Sequence, residues 1–353
     1  MRFFTRIFSA LLCLIFLFLF LSQGQLVAEA VLQGIHLCLD SIIPSLFCFM
    51  VLTNFLIFSG IYRTLSRPFA PLTKILFHLP PQVGSVIFLS FLGGYPAGAV
   101  AIRSLLSQKI ISPKQAKRML SFCCCAGPSF IVTAIGSQMF GSTSLGILLL
   151  SVHLLSSVLI GGMTGLFSRL HHEKACPSQN IVWKAPPSLN TAFVTAVEQS
   201  VLTCGKMCGF ILLFQAVAEL LSPMLQKIPF APFLLGLLEV TNGCRMAVSM
   251  GYGIFAACFF LSFGGICVLS QISGILHDFD VSISCQLPAR FFHGLLACLL
   301  LYLGIKAFPQ TLEVFSSVCH PVPMADSATP ILSFCLMMMS LLLMFRAKRL
   351  MEK

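Results

Sequence analysis

Apolar runs recur along the whole chain, and several of them are interrupted. The first covers about residues 7–21 and follows Arg2 and Arg6. Others cover about 35–61, 83–106, 145–167, 289–308 and 330–345. Most approach the roughly 20 residues that cross a hydrocarbon layer. The pattern predicts an all-α, polytopic membrane protein of about eight to ten hydrophobic segments. Lys and Arg gather in short loops and at run ends, as at Arg63, Arg67, Lys74, Lys109, Lys114, Lys117 and Arg118. By the positive-inside rule these lie in the cytoplasm.

The central stretch, 88–128, reads FLSFLGGYPAGAVAIRSLLSQKIISPKQAKRMLSFCCCAGP. It breaks at Gly93-Gly94-Tyr95-Pro96 and again at Ala126-Gly127-Pro128. Each break frees backbone groups that hydrocarbon cannot satisfy, so breaks sit inside protein or line a cavity. Transporters often form the substrate site from such broken helices. The plainer alternative is a kink where small residues let helices approach. Two breaks about 35 residues apart favour a buried polar site. Basic loops on both sides of 83–106 suggest a re-entrant hairpin with its tip at GGYPAGA. Ser112-Pro113 supplies an N-cap and a first-turn proline. The prolines at 68, 71, 80 and 81 argue against a long helix there.

The second half carries its own polar groups. Glu239 and Asn242 lie in an apolar segment, with Arg245 beyond. A lone carboxylate at mid-membrane costs about 2.5–3.5 kcal/mol. Glu239 therefore faces a cavity, is protonated or is paired, and partners across the bundle are expected. Three landmarks repeat in order. Ala30 to Ala196 (AVLQG, AVEQS) is 166 residues, and Phe88 to Phe260 (FLSFLGG, FLSFGG) and Arg118 to Arg290 are each 172. They point to an internal repeat with the site between the halves.

The organisation expected is a first transmembrane helix (1–29), a first membrane half (30–168), a cytoplasmic linker (169–190) and a second half (191–308). An extracytoplasmic loop (309–328) and a last helix with a basic tail (329–353) follow. Both termini are placed in the cytoplasm. Even parity then makes at least one second-half segment re-entrant or interfacial, and 260–274 is the candidate.

Composition sharpens this. Hydrophobic residues make up 57% and charged residues 9%, against about 25% charged in a soluble domain. The net charge of +11 lacks the aromatic-interleaved basic surface of a nucleic-acid binder. The sixteen cysteines show no paired CxxC spacing, and Cys123-Cys124-Cys125 is not spaced for a tetrahedral metal. Cys204 and Cys208 share a helix face, as do His36 and Asp40; packing and an interfacial pair are the expected roles. His171-His172 near Cys176 reads as solvated loop. No P-loop, HExxH or GxSxG stands in the chain, so neither an enzyme nor a cofactor or metal is expected.

FLGGYPAGA, ISPKQAKRMLSF, AGPSFIVTAIGSQMFGS, LGLLEVTNG and FLSFGG together resemble the YlbJ family of sporulation integral membrane proteins. That family is grouped with the nucleoside-recognition, or Gate, domain membrane proteins. The likeness spans about residues 30–305. It departs from the family pattern at Cys123-Cys124-Cys125, where a Ser/Asn stretch is expected. The resemblance implies a multi-pass protein of the bacterial cytoplasmic membrane, linked to endospore formation and the spore cortex. It implies helical hairpins around a solute path, with Gly93, Gly94, Tyr95, Pro96, Gly127, Pro128, Glu239, Asn242, Gly264 and Gly265 as substrate-site positions. Two functions compete. One is transport of a small polar solute, a nucleoside or an envelope precursor. The other is a scaffold for cortex-synthesis and other sporulation membrane proteins.

Overall fold

The computed structural model describes residues 2–171, 187–225, 231–248, 253–279 and 286–307, all within one compact unit. The loop at 309–328, the last span and most of the linker lie outside the described residues. Among those described, every regular element is a helix.

Helix α1 (Arg2–Ser22) turns by 94° at Gln23 into α2 (Gly24–Leu37). One π-helical turn (Cys38–Ile42) joins α2 to α3 (Ile43–Phe58), so the chain is helical from 24 to 58. This element starts at Gly24, not near Ile35. The reason is amphipathic spacing: Gln25, Glu29 and Gln33 are exposed while Ala30, Gly34 and Cys38 are buried. Helix α4 (Tyr62–Leu76) leaves α3 at 90° and contains Pro68 and Pro71. It is longer than its prolines suggested, and the carbonyls at its C-terminal end are met by side chains from elsewhere in the fold. Ser85 Oγ donates to the Tyr62 carbonyl at 2.6 Å. Arg169 donates to the Lys74 carbonyl at 3.0 Å and to that of Ile75, and Arg118 to that of Phe77.

Helix α5 (Gly84–Ser107) is two limbs joined at Gly94, which has φ 80° and ψ −177°. The limbs double back. Ser90 Cβ lies 3.3 Å from a Cβ built on Gly98, whereas a straight helix would separate those residues by about 12 Å. Limbs of ten and thirteen residues reach only about 15 and 20 Å, short of the ~30 Å hydrocarbon core. Then come α6 (Pro113–Cys123), an extended break at 124–127, a π-helix (Phe130–Met139) and α7 (Thr143–Leu170). Ser112 and Gln115 close a full capping box on α6, and Ser142 caps α7 through the Leu145 amide.

Helix α8 (Leu189–Leu225) runs antiparallel along α2 and α3. Gly34 meets Leu212, Asn54 donates to Ser200 at 2.9 Å, and Phe55 packs edge-on against Phe193. Helices α9 (Ala231–Leu238) and α10 (Val240–Val248) form a second hairpin with Glu239 at its tip. A Cβ on Gly243 would lie 2.6 Å from Gly236 Cα; seven residues of straight helix would hold them about 10 Å apart. Helices α11 (Gly253–Phe263) and α12 (Gly265–Ile275) meet at Gly264 and Gly265, with φ 84° and 73°. Helix α13 (Leu287–Ala307) closes the described chain.

Long helix, hairpin, broken helix, plain helix: that order occurs twice. In the first half it is α2–α3, α5, α6 with the π-helix, and α7. In the second it is α8, α9–α10, α11–α12, and α13. The doubled-back second-half segment is thus 231–248, not 260–274. The landmarks at Ala30 and Ala196 fall on matched helices. Phe88 and Phe260 do not, and neither do Arg118 and Arg290: the FLSF-GG likeness joins a hairpin limb to a broken helix, both buried runs that end in glycine. By length and composition alone five described helical stretches could cross a membrane, or seven if each bent pair counts as one; α5 is among the five, although it doubles back at Gly94. They make this a multi-pass membrane protein in contact with the bilayer.

Candidate functional site

Each hairpin tip rests on the break of the helix that follows it. A Cβ on Gly127 would lie 3.5 Å from both the amide nitrogen and the Cα of Gly94. A Cβ on Gly265 would lie 3.1 Å from the Leu238 carbonyl and 3.3 Å from the Val240 nitrogen. A Cβ on Gly265 would crowd its tip at a strained φ of 73°, whereas one on Gly127 would meet Gly94 at ordinary contact distance. Tyr95 ties the two assemblies together: its ring packs on Gly264 and its hydroxyl donates to the Leu261 carbonyl.

Between the tips lies a cavity of about 30 Å³. Gly94, Tyr95, Pro96 and Gly127 line it from the first half, with Ile42 and Leu46 of the long helix. Glu239, Val240, Thr241, Cys267 and Gln271 line it from the second, with Met207 and Ile211 of α8. It has room for a water or two. A second cavity of about 730 Å³ adjoins it and shares Pro96, Met207 and Gln271. This vestibule is mixed: Arg103, Ser104, Thr195, Gln199, Thr203 and Lys206 face it beside Phe58, Val100, Phe210 and Ile275. Its volume falls in the ordinary range of small-molecule sites.

Glu239 is buried, 1% exposed. Its two carboxylate oxygens accept from the backbone N–H of Thr241 (3.0 Å) and Asn242 (2.7 Å). The carboxylate is therefore the N-cap of α10, where free amides and the helix dipole favour negative charge. The partners expected across the bundle are local amides instead. A short helix that starts inside the protein must satisfy its first amides somehow, and Glu-Val-Thr-Asn was the signal for that cap. Arg245 donates to Asn242 Oδ1 at 3.0 Å, so it does not pair with Glu239.

No family model matches the chain, and no solved structure matches it. It is 29% identical, over 340 aligned residues, to the sporulation integral membrane protein YlbJ of Bacillus subtilis (strain 168). The alignment covers 85% of this chain and 83% of that protein. The chain is thus similar to that protein over most of its length.

The ten site positions separate by place. Gly94, Tyr95, Pro96, Gly127 and Glu239 line the small cavity. Gly93 packs on Thr53, and Gly264 and Gly265 back the wall behind Tyr95 and Glu239. Asn242 points its side chain to Arg245, not into the cavity. Pro128 is half-buried beside Gly127 and is not among the lining residues. Sequence reading missed Met207 and Gln271, which stand between the two cavities. Gln271 stood out only as part of a stretch polar for a membrane segment, and Met207 carries no signal in an apolar helix. His36 and Asp40 are 3.9 Å apart and largely exposed, away from the site. Among the described residues no group of three or more His, Cys, Asp or Glu could hold a metal.

Proposed function

We propose that this protein moves a small polar solute across a bacterial membrane during sporulation, in support of spore cortex formation, and that it is not an enzyme. The observation that carries the reading is the convergence of four helix breaks, two from each half, on one buried cavity beside a vestibule. Broken helices present backbone donors and acceptors to a solute without long charged side chains. The link to sporulation rests on the likeness to the sporulation protein of Bacillus subtilis. A nucleoside or an envelope precursor suits the vestibule. The 30 Å³ space at the tips takes neither, so passage requires the hairpin tips to part.

The test is uptake into proteoliposomes of the purified protein, with nucleosides and cell-wall precursors as solutes. Glu239→Gln keeps the size and one good acceptor for the α10 amides but removes the ionisable carboxyl. Saturable uptake that falls at least tenfold in Glu239→Gln, with the variant still folded, supports transport through the tips. Absence of both binding and uptake in folded protein favours the scaffold function, and crosslinking in sporulating cells then seeks the partner.

A further inference from the structure

Beside the cavity lies a buried polar cluster that the proposed solute path does not use. His153 of α7 and His293 of α13 stack with centroids 5.0 Å apart, where the two matched helices cross. Both are buried, at 1% and 0% exposure. The Ala126 amide, freed by the first-half break, donates to His153 Nε2 at 3.1 Å. That places the ring proton on Nδ1, which reaches Ser262 Oγ at 3.1 Å. Ser262 stands two residues before Gly264, the second-half break. One imidazole therefore spans both breaks.

The neighbours hold that imidazole in place. His293 Nε2 lies 2.9 Å from Ser156 Oγ and 3.2 Å from Ser157 Oγ, both one turn from His153 on α7. Cys125, inside the first break, lies 2.9 Å from the same Ser157 hydroxyl. Arg290, 1% exposed, donates to the Leu120 carbonyl at 3.0 Å, in the last turn of α6. The groups freed by the first break are thus served from α7 and α13, the plain helices of the two halves.

We propose that His153 is a positioning residue that couples the two broken helices, so that the break at 124–127 and the break at Gly264 keep one register at the candidate site. An imidazole suits the task because one rigid ring accepts on one side and donates on the other. The proposal concerns the machinery around the tips and does not depend on which solute, if any, is carried.

Native cysteines report on it. Cys124 and Cys125 sit in the first break and Cys258 in α11, all buried. The full-length protein in detergent would be treated with N-ethylmaleimide, and labelling rates read site by site by mass spectrometry. His153→Ala removes both bonds. It should raise labelling at Cys124 and Cys125 roughly tenfold, the change in open population given by about 1.4 kcal/mol. His153→Gln, which can accept from Ala126 and donate to Ser262, should stay near the wild-type rate. Ser262→Ala, which cuts only the far bond, should also raise Cys124 and Cys125. Cys258 should not change in any of them. Equal behaviour of the Ala and Gln variants would overturn the proposal, as would a rise at Cys258 matching that at Cys124, or no effect of Ser262→Ala. If His153→Ala does not fold, the Gln and Ser262→Ala results decide by the same rule. The assay uses no solute, so a lost coupling and a failed transport reading are told apart.

Discussion

At the residue scale the site depends on what is missing as much as on what is present. Gly98 would place a Cβ 2.4 Å from the Cys123 carbonyl oxygen, a buried backbone atom that has little freedom to yield. Gly209 on α8 would meet nothing within 4 Å. Gly98→Ala should therefore lower the melting temperature in detergent. Gly209→Ala should leave it unchanged or raise it, since glycine costs a helix about 0.5–1 kcal/mol relative to alanine. A thiol-dye melt compares the two, and equal effects would mean that the first hairpin does not pack on α6 as described. Residue chemistry was partly legible beforehand. Gly94, Gly127 and Glu239 were visible because a break or a carboxylate in an apolar run is costly. The role of Glu239 as a cap was not, because it depends on where α10 begins. Met207 was invisible and Gln271 showed only as a polar residue in an apolar run, because their place at the site depends on which helices meet.

Among the elements, the two hairpins show how far a pattern carries. GGYPAGA, flanked by basic loops, marked the first. The second lacked that frame: α9 and α10 are eight and nine residues long and read as part of longer apolar runs. What gives them away is Gly236 and Gly243, spaced to lie face to face only once the chain has turned at Glu239. The first hairpin makes a direct prediction. If α5 re-enters, Gln82 and Gln108 at its two ends face the same side of the membrane. Single cysteines at 82 and 108, in a background with the exposed native cysteines replaced, should both react with an impermeant maleimide from one side. Reaction from opposite sides would make α5 a crossing helix with a kink.

At the scale of the whole molecule the two halves meet at the site and again at the vestibule mouth. Arg103 Nη2 and Asp278 Oδ2 lie 2.5 Å apart, 175 residues distant in sequence. His277 approaches the other oxygen of the same carboxylate at 2.8 Å, and both Arg103 and His277 line the vestibule. The arginine and aspartate side chains are 43% and 47% exposed, so the pair is worth no more than about 1 kcal/mol to stability. Its position, not its strength, gives it consequence: it joins the outer limb of the first hairpin to the end of α12, the two elements that border the cavity entrance. Arg103→Asp or Asp278→Arg alone sets like charges face to face. Each should change the initial rate of solute uptake severalfold while hardly moving the melting temperature. The exchange Arg103→Asp with Asp278→Arg should bring the rate back towards wild type, and added salt should shrink every difference as exposed charges are screened. The double-mutant cycle separates a contact from two independent charges. If the exchanged protein stays as impaired as the single variants, the pair is not a clasp between the halves and each charge acts on the solute by itself.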